Sequence, residues 1–212
     1  MTAVPWWRRD GLDADGGRLR IAGRDAEALA REHGTPLYVY DTARAAANIG
    51  RLGAALGQAG LRHRLLYALK ANRHPALLAR LRSLSSVGID VCSPGEVELA
   101  LKSGWRPEEV SYTGTNLSDR DLDRILPHPV ILNLDSLSAL RRVGRRAPGR
   151  AVGLRVNPQV GTGYNAQLTY AGEKPTKFGI YEDRFDAALA VLSGLSTRLV
   201  AASRGQRSEF SD

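Results

Sequence analysis

A lysine that closes an apolar run is placed for carbonyl chemistry. In Leu65-Leu66-Tyr67-Ala68-Leu69-Lys70 the amine ends a segment suited to a buried strand. Burial favours the neutral amine, the form that attacks carbonyl carbons and makes Schiff bases. The opposing reading is a lysine that has simply reached solvent at a strand end, and spacing alone does not separate the two. Further short apolar runs carry polar groups at or near their ends. Asp90 lies in Gly88-Ile89-Asp90-Val91-Cys92, Asn133 and Asp135 flank Leu134, and Arg155 and Asn157 alternate with Leu154 and Val156. The C-terminal ends of strands are where parallel α/β sheets and barrels bind ligands and do chemistry.

The elements that must place these groups are legible as an alternation. Runs at 65–69, 89–92, 110–113, 130–134 and 152–157 read as short buried strands, and 75–83, 94–103, 118–125, 136–146 and 185–195 read as helices. Strands that recur about every twenty residues, each followed by an amphipathic helix, indicate βα units and a parallel sheet. A doubly wound sheet and a (β/α)8 barrel both fit the alternation. Upstream, 18–22 reads as a short strand and 25–33 as a helix stopped by Gly34. The β-branched and aromatic run 36–40 reads as a strand, followed by a helix capped at Asp41-Thr42 and reaching Ala59. A complete barrel takes about 250 residues and rarely fewer than about 200, more than follow Leu65. A barrel here is therefore incomplete. A last strand begins at 198–202, and 203–212 is polar and without pattern.

Tyr67-Ala68-Leu69-Lys70-Ala71-Asn72 resembles the segment of the fold-type III decarboxylases whose lysine holds pyridoxal phosphate at the end of the first barrel strand. Further segments match that family in order: Gly88-Ile89-Asp90-Val91-Cys92-Ser93-Pro94-Gly95-Glu96, Tyr112-Thr113-Gly114-Thr115-Asn116, Asn133-Leu134-Asp135-Ser136, Leu154-Arg155-Val156-Asn157-Pro158 and Lys177-Phe178-Gly179-Ile180. The stretch from Val160-Gly161-Thr162-Gly163-Tyr164 to Thr176 looks more like the diaminopimelate decarboxylase type than the ornithine or arginine types. The resemblance implies pyridoxal 5'-phosphate held covalently by Lys70, with Asp90, Glu96 and Arg155 near lysine and cofactor, and meso-diaminopimelate converted to lysine. Glu96 also reads as an ordinary first-turn helix acid, and Arg155 as an ion-pair partner inside the barrel.

The same resemblance marks what this chain does not carry. Where the family has a His-x-His-x-Gly-Ser type segment, the chain gives Ala201-Ala202-Ser203-Arg204-Gly205-Gln206-Arg207. The glycine-rich phosphate loop, the Glu-Pro-Gly-Arg type segment and the C-terminal β-domain are absent. The implied architecture is 1–35 belonging to the β-domain side, 36–202 as a partial barrel lacking its last strands, and 203–212 as an aberrant or disordered tail. Such a chain is expected to be inactive alone, as a frameshifted or prematurely stopped product, or as half of a split enzyme with a complementing C-terminal chain. The family works as a homodimer. A second reading is a pseudoenzyme that regulates a full-length decarboxylase, and a third is a relative acting on another amino acid.

Composition bounds the rest. With 212 residues and 43% hydrophobic content the chain can bury a core. The N-terminus has no apolar signal region and no run is long enough to span a membrane, so a cytoplasmic protein without membrane partners is expected. Net charge is +8, from 30 basic and 22 acidic residues. The densest cluster, Arg141, Arg142, Arg145 and Arg146, has helical spacing and reads as a solvated helix face, so no nucleic-acid partner is expected. The single cysteine, Cys92, reads as a small core residue, and no metal site is read.

Overall fold

The structure, a computed structural model, describes residues 5–84, 86–157, 159, 177–195 and 198–204. The chain divides into two compact units, Met1–His63 with His74–Ser85, and Arg64–Arg73 with Ser86–Asp212.

In the first unit β1 (Leu12–Asp15), β2 (Arg18–Ile21) and β3 (Arg24–Asp25) form a three-stranded antiparallel sheet. Helix α1 (Ala26–His33) starts where the Asp25 carboxylate accepts the Ala28 N–H at 2.8 Å, and ends at Gly34 with φ +82°. Helix α2 (Thr42–Gln58) is capped in the same way, its Arg44 N–H bonding to Asp41 at 3.0 Å. The run 36–40 forms no strand, contrary to its composition. A strand needs a neighbour to take its N–H and C=O groups, and none pairs with this run; Tyr38 is 84% exposed. Helix α3 (Pro75–Arg82) opens on a proline, whose missing N–H costs nothing in a first turn, and buries Leu78 and Leu81.

The second unit is built on a 7-stranded, wholly parallel sheet: β4 (Leu65–Ala68), β5 (Val87–Val91), β6 (Val110–Thr113), β7 (Ile131–Leu134), β8 (Ala151–Asn157), β9 (Ile180–Tyr181) and β10 (Arg198–Arg204). Spatial order is β10-β8-β7-β6-β5-β4, with the short β9 beside β8. Neighbours therefore follow chain order across the sheet. A doubly wound sheet reverses order at its switch point, whereas a barrel adds each strand beside the last. The topology selects the barrel, incomplete over this chain.

Alternation along the strands separates two faces. Val87, Ile89, Val91, Val110, Tyr112, Leu132, Leu134, Val152 and Leu154 are all buried. Helices α4 (Pro94–Lys102), α5 (Asp119–Ile125), α6 (Leu137–Arg146) and α7 (Phe185–Gly194) bury apolar stripes of their own, among them Val97 and Ala100, Leu122 and Ile125, Leu140 and Val143, and Ala188 and Leu192. The opposite face carries mostly polar or small residues, with Leu66 and Ile131 among them. On it, Gly88 permits a close approach: a Cβ there would lie 2.5 Å from Leu66 Cδ2 and 2.6 Å from the backbone oxygen of Glu109. The Glu109 carbonyl cannot swing away like a side-chain end. Gly88→Ala is expected to lower unfolding free energy by about 1–3 kcal/mol through overpacking, read from the urea midpoint.

Two of the clustered arginines on α6 are not merely solvated. Arg142 meets the Asp119 carboxylate at 3.2 Å, and Arg146 meets the same carboxylate at 3.1 Å and also Asp123, which joins α6 to α5. Arg141 and Arg145 are exposed as expected. No described helix is long and apolar enough to cross a membrane.

Candidate active site

Strand register brings the predicted residues together. Ala68 pairs with Asp90 and Asp90 with Ser111; one pleat further along, Thr113 pairs with Asn133 and Asn133 with Gly153. Paired residues share a face, as do residues two apart on one strand. Asp90, Ser111, Thr113, Asn133 and Arg155 thus lie on the polar face, with Asp90 and Arg155 toward its C-terminal edge. Asn133 Nδ2 donates to Ser111 Oγ at 2.9 Å and to Thr113 Oγ1 at 3.0 Å, a satisfied polar cluster on this face.

Lys70 follows β4 in a 3₁₀ turn, Leu69–Ala71, anchored by fully buried Leu69 and by the Tyr67 hydroxyl, which donates to the Asn72 carbonyl at 3.1 Å. Lys70 itself is exposed. Burial at the strand end is therefore not what prepares this amine, because the turn carries it past the sheet. Its charge is felt by Asp90, however. Burial pushes the Asp90 carboxyl above its ordinary range, Lys70 pulls it back, Glu96 adds to the rise and Arg155 opposes it.

Glu96 sits in the first turn of α4, behind the N-cap Ser93 and Pro94. Its side chain is 4% exposed and reaches back past the cap, where Oε2 accepts the Cys92 N–H at 2.8 Å and the Cys92 thiol at 3.3 Å, while Oε1 lies 3.5 Å from Arg73. The ordinary helix-acid reading accounts for this placement, and the same placement holds a negative charge beside Asp90. Cys92 is exposed, contrary to its reading as a core residue. It follows the last residue of β5, where the chain leaves the sheet, and partial desolvation together with its bond to Glu96 pushes its thiol up.

Carboxylates compensate Arg155, as its reading as an ion-pair partner inside the barrel expects. Burial makes its charge costly, and Asp135 and then Asp90 compensate. Sequence reasoning named Asp135 at a strand end without assigning it, because only the β7–β8 pairing reveals its partner. Arg73 was not foreseen, since nothing in a His- and Arg-containing loop distinguishes it. The stretch from Val160 to Thr176, Pro158 and residues 205–212 lie outside the described residues.

Asp135 is buried, and desolvation raises its carboxyl above the ordinary 3.8 against the pull of Arg155. A raised carboxylate binds its proton more tightly folded than unfolded, so its contribution to stability falls as pH rises from about its unfolded value through its folded one. Asp135→Asn removes that slope. The difference in urea midpoint between parent and variant is expected to change across this window and to level off above it; a constant difference would contradict the assignment.

An exposed amine, carboxylates and a guanidinium lie toward the C-terminal edge of a partial parallel barrel, the edge at which such barrels bind ligands. Residues 46–203 match the family described as "Pyridoxal-dependent decarboxylase, pyridoxal binding domain", and the chain belongs to that family. It is 43% identical over 169 residues to the diaminopimelate decarboxylase of Methanothermobacter thermautotrophicus, covering 79% of this chain and 39% of that protein. With the diaminopimelate decarboxylase of Streptomyces coelicolor it shares 34% identity over 176 residues, covering 81% and 38%. Among solved structures, diaminopimelate decarboxylase from M. jannaschii in complex with L-lysine superposes with a TM-score of 0.79 at 26% identity, over 92% of this chain and 47% of that one. The chain thus spans less than half the length of these relatives. The fold is that of the fold-type III decarboxylases, and the donor set fits pyridoxal phosphate: a reachable primary amine suits its aldehyde, and paired carboxylates and guanidinium suit its charged groups.

Proposed function

We propose that this chain is the cofactor-binding portion of a pyridoxal-phosphate-dependent decarboxylase that converts meso-diaminopimelate to lysine. The observation that carries the reading is Lys70 at the C-terminal end of β4, its charge acting on Asp90 in the neighbouring strand, within a chain of this family. Pyridoxal phosphate, when bound, supplies the electron sink for the carbanion left by loss of carbon dioxide. Lys70 Nζ would hold the cofactor and, when free, would carry a proton at the reacting carbon. Asp90, its affinity for a proton raised by burial, lies where the Lys70 charge acts on it. Arg155 presents positive charge to anionic groups, and the Glu96 carboxylate, held by Cys92 and Arg73, acts on Asp90. On this reading the working form is a cytoplasmic homodimer, and a C-terminal portion completes the site.

The test supplies carboxyl-labelled meso-diaminopimelate to the chain loaded with pyridoxal phosphate, alone and with the separately expressed C-terminal half of a full-length relative. Labelled carbon dioxide and lysine are expected only with the added half. Their absence in both, with the cofactor bound, would refute the reading.

A further inference from the structure

The Arg155 guanidinium carbon lies 4.5 Å from the centroid of the Phe178 ring, and Lys177 Nζ lies 5.2 Å from the same centroid. Phe178 is itself held. Its carbonyl accepts Asn157 Nδ2 at 2.9 Å, and the next residue, Gly179, has φ +80° with its position so close to β8 that a Cβ would come 2.8 Å from the Asn157 nitrogen. Hydrogen bond and glycine press this backbone against the end of β8, two residues beyond Arg155. Asp135 and Asp90 already compensate the Arg155 charge. Coulombic attraction from these carboxylates sets no plane for the guanidinium, whereas an aromatic face against it does.

We infer that Phe178 is a positioning residue for Arg155, its ring holding the guanidinium in one orientation so that this cation meets an anionic group of the ligand at the strand ends. The ligand's identity rests on the function proposed above, but the stack does not. In the full chain, the Arg155 Nε–H resonance, assigned by its loss in Arg155→Lys, is expected to be shifted upfield by the ring, to move to the ordinary arginine position in Phe178→Leu, and to stay upfield in Phe178→Tyr. Pyridoxal phosphate, followed by absorbance, is expected to bind about two- to fivefold more weakly to Phe178→Leu and within about twofold of the parent to Phe178→Tyr, ratios typical of a partly solvated cation–π contact. An unmoved Arg155 resonance in Phe178→Leu overturns the stack. A moved resonance with unchanged cofactor affinity overturns the positioning role. If the parent chain binds no cofactor, the proposed function fails, and the resonance still decides whether Phe178 orients Arg155.

Discussion

Lys70→Arg is expected to give no visible band with pyridoxal phosphate and no borohydride-trapped label above background, while the parent chain gives both. Arginine keeps the positive charge but its guanidinium does not condense with an aldehyde under these conditions, so the loss reports covalent attachment and not charge. Lys70→Ala is expected to lose the label equally and to do something the arginine variant does not. With the cation gone, the Asp90 carboxyl loses the strongest influence opposing its desolvation and rises further. An Asp90 titration followed by NMR should therefore move upward in Lys70→Ala and little in Lys70→Arg. Label retained by either variant would place the cofactor on another amine.

Leu154→Ala is expected to cost about 2–5 kcal/mol of unfolding free energy, the range for a buried leucine whose cavity only partly collapses. Leu154 is fully buried, is paired in register with Leu134, and lies next to Arg155 on the opposite face of β8. Urea unfolding of the parent and variant measures the difference. A cost below about 1 kcal/mol would mean that the helix-covered face of the sheet is not the core described for it.

Parts of this arrangement were legible in the residues and parts were not, for different reasons. The strands from Leu65 to Asn157 announce themselves because short apolar, β-branched runs separated by capped helices leave few alternatives; the N-caps Asp25, Asp41, Ser93, Ser118 and Ser136 all bond as their residue types suggest. The run 36–40 has the same composition and no strand, because pairing depends on a neighbour that composition does not specify. The two-residue β9 is too short to show any period. Choosing between doubly wound sheet and barrel required the order of neighbours, which the alternation of elements leaves open. In the site, Lys70, Asp90, Glu96 and Arg155 stood out by position and by resemblance. Their partners did not. The Asp135 charge acts on Arg155 of the neighbouring strand, Glu96 bonds past its own helix cap to Cys92, and Phe178 reaches Arg155 from beyond β8. Each of these depends on register or on a loop path.

The most direct measurement is peptide mapping of the parent chain after pyridoxal phosphate binding and borohydride reduction. The chain offers Lys102, Lys174 and Lys177 as internal controls beside Lys70. A label confined to the Lys70 peptide is the predicted result. A label spread across the lysines, or absent from Lys70, would contradict the assignment of this strand end as the cofactor site.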